Sequence, residues 1–277
     1  MSAEAGPAGR LVSLAMYVDP PAVRAATRAL WAHLRDALRA AGFADVPDAA
    51  DEAIAYDAAW LSPNLLLAQT CGYPFATRLR GRVRLVATPC YDHPGCSGAY
   101  GGSFIVVRAE NRATSVADLE ERRAAINDRA SNSGYNLLRA TIAPYARNGR
   151  FFADVIETGG HAASLAAIVD GVADVAAIDC VTWGNIRRHA PDRLAPLRIL
   201  AETAKTPSLP LITRAAASDA EVTALRTALH GAAADPAMAD TCATLGLRGF
   251  TVLGDADYDV VLRLERDAIA LGYPIVA

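Results

Sequence analysis

Apolar and polar positions along the chain switch repeatedly between short continuous runs and a 3.6-residue period. Leu11 to Met16, ending at Tyr17, reads as a buried strand, and Pro20-Pro21 then opens an amphipathic helix through Ala41 that Gly42 closes. A weak strand is expected at 44–47. Tyr56 to Leu61 reads as the next strand, with Ser62-Pro63 capping a helix whose proline lies in the first turn, where its missing N–H costs nothing. Arg82 to Ala87 is a strand, 88–102 a loop holding Tyr91 and Tyr100, and Ser103 to Arg108 a β-branched strand. A strand is expected over 124–127. Further on, strands are expected over 152–157, 173–178, 193–200 and 208–213, and helices over 162–170, 180–189, 218–232, 236–245 and 255–271. Strands followed by helices define an α/β protein.

The stretch from Ala125 to Gly160 organises the rest. A strand runs into a helix that opens Ser131-Asn132-Ser133-Gly134-Tyr135, and a second strand delivers His161 behind Gly159-Gly160. Such a first turn offers hydroxyls, an amide and unpaired backbone N–H groups at the positive end of the helix, so it suits an anion without a nearby lysine or arginine. Each hydrogen bond to a charged acceptor contributes about 1.5–3 kcal/mol. Three or four of them, less the entropy of immobilising a ligand, support roughly micromolar binding, about −8 kcal/mol. The competing reading is an ordinary capped helix, since Ser and Asn are common caps.

Ligands of open α/β sheets gather beyond the carboxyl ends of strands. Tyr17, Trp60 and Ser62 are expected to share one such crevice, and Ser131, His161 and Asp179 another edge. Trp60 and His161 also suit buried core positions, and Tyr135 is either a stacking wall or a plain helix residue. Asp179 beside an anion makes sense where it accepts a hydrogen from a protonated anionic ligand, from an amine on the ligand or from His161.

Composition narrows the class further. The 277 residues are 52% hydrophobic, enough for a sizeable core, and carry a net charge of −3. That charge gives no basic field for nucleic acid. The apolar run at 11–18 is far short of the roughly 20 residues a membrane span needs, so no direct membrane insertion is expected. The first ten residues lack the basic and apolar regions of a secretory signal. The expectation from the sequence as it stands is a cytoplasmic chain, or a periplasmic one whose signal has been removed. Five cysteines, an odd number, exclude a full disulfide framework. Cys90, His93 and Cys96 are spaced like metal ligands but lack a fourth, so a loop, with room for a Cys71–Cys96 bridge, is the preferred reading over zinc.

No G-x-S-x-G elbow supports a hydrolase, and no Walker or G-x-G-x-x-G loop supports a nucleotide or any other cofactor.

The blocks SNSGYNLL and ETGGHAASLAAIVDGVADVAAID resemble the second-lobe signature of the phosphate/phosphite/phosphonate-binding proteins of ABC transporters, and a looser likeness runs from Leu11 to Arg214. The resemblance implies a two-lobed periplasmic-binding-protein-like (type 2) α/β fold, each lobe a mixed sheet flanked by helices. Residues 10–103 and 206–277 would form one lobe and 104–205 the other, joined by two crossings at 103–108 and 200–209. The three C-terminal helices are assigned to the first lobe. A binding protein that closes on a small anionic ligand is implied, with Tyr17, Trp60, Ser62, Tyr100, Ser131, Asn132, Ser133, Gly134, Tyr135, His161 and Asp179 around the ligand. A transporter permease is the implied partner. The alternative from another class is a cytoplasmic enzyme or sensor on the same fold, acting on a small anionic or pyrimidine-type metabolite.

Overall fold

The computed structural model describes residues 9–277. The first part of the chain contributes β1 (Leu11–Ser13), α1 (Pro21–Ala40), α2 (Tyr56–Trp60), β2 (Leu65–Gln69), α3 (Gly72–Pro74), β3 (Val83–Tyr91), β4 (Cys96–Ser97) and β5 (Tyr100–Gly101). The middle holds β6 (Ser103–Arg108), β7 (Arg123–Ile126), α4 (Leu137–Ile142), β8 (Asp154–Glu157), α5 (His161–Val169), β9 (Val175–Asp179), α6 (Cys180–His189) and β10 (Leu197–Glu202). The last part adds β11 (Thr206–Pro207), β12 (Leu211–Arg214), α7 (Asp219–Ala234), α8 (Ala239–Leu245), β13 (Leu247–Thr251) and α9 (Asp259–Ala270).

These strands build two five-stranded mixed sheets, ordered β1-β2-β12-β3-β13 and β10-β6-β9-β7-β8. A small sheet, β11-β5-β4, lies where the chain passes between them. In the second sheet β8, β7 and β9 run parallel, so their carboxyl ends share one edge. In the first sheet β1 and β2 are the parallel pair. The central strands read as continuous apolar runs because both their faces are covered: every residue of β2 and of β9 is buried.

Each sheet has its own core. On one face of the first, Leu30, Trp31 and Leu34 of α1 pack with Leu225 and Leu229 of α7. On the other, Trp60, Phe75 and Tyr258 meet Val261 of α9. The second sheet is covered by α4 on one side and by α5 and α6 on the other.

Several expectations are corrected here. Residues 56–60 form a helix and 65–69 the strand, the reverse of the sequence reading. The run Leu65-Leu66-Leu67 is equally apolar as a buried helix or a buried strand, and the sheet decides the matter. Ser62 therefore caps no helix, and its Oγ accepts the Asn64 N–H within the connecting turn. No strand forms at 44–47, whereas β13 was not expected.

The third C-terminal helix does not belong to the first lobe alone. Val261 sits in the first sheet's core, but Ala268, Tyr273 and Val276 sit in the second's. The N–H groups of Phe151 and Phe152 both donate to the Ala277 carbonyl, at 2.8 and 3.0 Å. The chain thus passes between the two bodies a third time.

The bridge Cys71–Cys96 is also overturned, since all five cysteines are free. Cys71 Sγ accepts the Asn132 N–H at 3.1 Å, and Cys96 Sγ lies 3.3 Å from Cys180 Sγ instead. Among the described residues no three His, Cys, Asp or Glu side chains come together as a metal-holding group.

Candidate functional site

A cleft of about 700 Å³ opens between the two sheets. The parallel strands of the second sheet deliver its polar wall. After β7 the chain turns at Asn127 and Asp128 into Ser131, whose Oγ accepts the Gly134 N–H at 3.0 Å and so caps the helical segment leading into α4. The first turn of that segment is wide, with the Asn136 N–H reaching back to the Ser131 carbonyl. After β8, Gly159 adopts φ +85°, a left-handed conformation suited to glycine, and Gly160 caps α5 so that His161 is its first residue. After β9, Asp179 caps α6.

Three helix N-termini therefore converge, although at α6 the N–H groups of Cys180, Val181 and Thr182 are already taken by the Gly102 carbonyl and the Asp179 carboxylate. Ser133 Oγ and His161 Nε2 meet at 2.9 Å between two of them. Burial pushes the His161 ring below its ordinary pKa, with Asp179 and the Ala177 carbonyl pulling the other way. Burial therefore favours the neutral ring in the empty site. His161 Nδ1 makes no well-aligned hydrogen bond.

Asp179 owes its place beside an anion to local structure. Its Oδ1 accepts the Val181 and Thr182 N–H groups at 2.8 and 3.2 Å and the Tyr17 hydroxyl at 3.0 Å. Burial, and then the Asp179 charge, push the Tyr17 hydroxyl well above its ordinary pKa, so it remains a donor.

The opposite wall comes from the first sheet. Trp60 is pinned by its indole N–H to the Gln69 carbonyl at 3.0 Å. Tyr56 stacks on it with ring centroids 5.7 Å apart and planes 7° from parallel, the i, i+4 pair of α2. The Arg78 guanidinium sits 5.8 Å over the Trp60 ring and pairs with both carboxylate oxygens of Asp57.

Six of the eleven residues singled out in the sequence line this cleft: Tyr17, Trp60, Ser131, Ser133, His161 and Asp179. Five do not. Ser62 lies in the turn before β2, and Tyr100 is exposed on β5 opposite Pro207. The Asn132 amide is used as a brace, donating to Thr206 Oγ1 at 2.9 Å and accepting from Asn136 at 3.1 Å. Gly134 is backed by the Asn127 side chain, which fills the space a Cβ would take. Tyr135 is buried in the second core under the Arg139 guanidinium, 5.3 Å from its ring centroid. Tyr56, Asp57, Arg78 and Asn127 were missed. The signal for the first was present in Tyr56-Asp57-Ala58-Ala59-Trp60, whose i, i+4 aromatics and intervening alanines are helical.

The architecture is that of the two-lobed periplasmic binding proteins. A binding protein component of an ABC phosphonate transporter from Pseudomonas aeruginosa superimposes with a TM-score of 0.77 at 16% identity, over 96% of this chain and 88% of that one. PhnD1 from Prochlorococcus marinus, solved in complex with methylphosphonate, gives 0.74 at 13% identity, over 93% and 97%. XAC2383 from Xanthomonas citri, solved with chloride and with ATP, gives 0.69 at 17 and 18% identity, over 96% of this chain and 99 and 98% of those. Comparison with curated protein sequences finds no match. Residues 17–258 match the family described as ABC transporter, phosphonate, periplasmic substrate-binding protein, and the chain belongs to that family. The family is a substrate-binding component of transport, and its members are periplasmic. No helix among the described residues is long and apolar enough to cross a membrane.

Proposed function

We propose that this chain is a non-catalytic receptor that closes on a small phosphonate-like oxyanion and presents it to a transporter permease. The observation that carries the reading is the Ser133–His161 contact at the meeting of two helix N-termini, on the wall of a cleft between two separately packed sheets. Ser131 and Ser133 hydroxyls, the first-turn N–H groups and His161 would hold the oxyanion, and Tyr17 would close over it from the other wall. Asp179 Oδ1 already has three donors, and the carboxylate would take any hydrogen that a protonated ligand offers. The two bodies, residues 10–103 with 206–277 and 104–205, would move about the crossings near Ser103 and Thr206, with residues 268–277 travelling with the second body.

The Ser133–His161 pair has the spacing of a nucleophile and its base, but lacks the rest of that machinery. A catalytic histidine is oriented through Nδ1 by a carboxylate. Here Nδ1 has no such partner, and the nearby Asp179 is engaged with the α6 N-terminus and Tyr17. This supports binding without turnover.

Calorimetric titration with methylphosphonate, phosphite, phosphate and sulfate tests the proposal, paired with X-ray scattering at saturation. Micromolar binding of at least one oxyanion, with compaction and with the ligand recovered unchanged, is expected. Absence of binding by all four, or conversion of the ligand, would overturn it.

A further inference from the structure

The two walls of the cleft differ in chemistry. The wall from the second sheet is hydroxyls, backbone N–H groups, His161, the Asn127 amide and the carboxylates of Asp128 and Asp179, of which Asp128 accepts the Ala130 N–H and Asp179 the α6 N–H groups and the Tyr17 hydroxyl. The facing wall presents Met16, Tyr56, Trp60, Pro74 and Leu209, and its two charged residues, Asp57 and Arg78, are paired at 2.6 Å. Their charges largely cancel there, so neither is free to recognise a charged tail at full strength. Tyr56 is 44% exposed, although it is held flat against Trp60, which is itself fixed by Gln69 and Arg78. An exposed ring immobilised in advance is a surface that a ligand can cover without ordering it first.

Size points the same way. A cleft of about 700 Å³ lies in the range that takes a drug-sized ligand, about 300–1,000 Å³, and far exceeds the five heavy atoms of methylphosphonate. Lobe closure narrows such a gap but leaves its apolar side chains to be covered by something.

Resting on the receptor reading above, we propose that the ligand is a phosphonate with an apolar, flat substituent. The phosphonate head lies against Ser133 and His161, and the substituent lies on Tyr56 and between Met16 and Leu209.

Calorimetric titration of the full chain with methylphosphonate, 2-aminoethylphosphonate and phenylphosphonate tests this, repeated on Tyr56→Ala and Tyr56→Phe. Phenylphosphonate is expected to bind about tenfold or more tighter than the other two, the gain from covering one ring. Tyr56→Ala should remove most of that advantage while leaving methylphosphonate affinity within about twofold, and Tyr56→Phe should keep it. Methylphosphonate or 2-aminoethylphosphonate binding as tightly as phenylphosphonate overturns the inference, as does a Tyr56→Ala loss equal for all three. Failure of all three to bind overturns the receptor reading itself. The two failures are distinct, because in the first methylphosphonate still binds.

Discussion

Ser133 Oγ lies 2.9 Å from His161 Nε2 and joins the first turns of two helices that leave neighbouring parallel strands. An oxyanion set at this contact meets two positive helix ends and the Ser133 hydroxyl together. The donor direction matters: with the proton on Nε2 the ring donates to Ser133, and the serine hydroxyl is free to donate into the cleft.

Ser133→Ala should therefore weaken oxyanion binding by about 1.5–3 kcal/mol, the contribution of one charge-assisted hydrogen bond. Its stability without ligand should stay within about 1 kcal/mol, because the side chain's one recorded partner is His161. Calorimetry and thermal melting on the same protein check both halves. Unchanged affinity with a large stability loss would reduce Ser133 to a structural residue.

Gly134→Ala should behave in the opposite way. A Cβ at Gly134 collides with the Asn127 side chain, and overpacking of this kind costs about 1–3 kcal/mol. The melting temperature should fall, and Asn127→Ala in the same chain should restore much of it. A single variant as stable as the native chain would show that Asn127 moves freely.

At Asp179 the side chain holds two α6 N–H groups and the Tyr17 hydroxyl. Asp179→Ala should lose about 0.5–2 kcal/mol as an absent cap. Asp179→Asn keeps an acceptor oxygen, so it should retain most of that stability. Equal losses in the two variants would mean that the charge, not the geometry, is what α6 requires.

The polar wall was legible in the sequence because its signals are local. Ser131 reads as a cap three residues before Gly134, Gly159-Gly160 as a turn, and Asp179 as the end of an apolar strand. The aromatic wall was not, because it depends on which of two adjacent apolar segments enters the sheet. Tyr56 to Trp60 and Leu65 to Gln69 exchange roles between reading and structure, and with them Ser62 leaves the site while Tyr56 and Arg78 join it. Asn132 and Tyr135 show a second limit. Residues of a turn at a cleft alternate between facing the cleft and bracing it, and partners such as Thr206, 74 residues away, cannot be found from spacing. The third passage of the chain was hidden for the same reason, since Tyr273 and Val276 carry no mark of the sheet they join.

The remaining prediction concerns pH and follows from His161. Burial holds its ring below the ordinary value near 6.5 in the empty protein. In the unfolded chain the ring protonates first as pH falls, so the unfolded state binds more protons in that window. Stability from this group is complete above about pH 6.5 and declines as pH drops through the lower folded value. His161→Gln should remove that part of the acid loss. Binding runs the other way. A bound oxyanion favours the imidazolium, which can donate through Nε2 to the ligand side and through Nδ1 toward the Ala177 carbonyl. The bound value therefore rises, protons are taken up on binding, and affinity falls as pH increases through the bound-state value. A second ionisation of the ligand opposes this by adding charge for the helix ends to hold. Titration of native protein and His161→Gln with methylphosphonate from about pH 5.5 to 8.5 separates the two effects, because only the ring's contribution disappears in the variant. Superimposable pH curves at equal affinity would show that His161 does not touch the ligand.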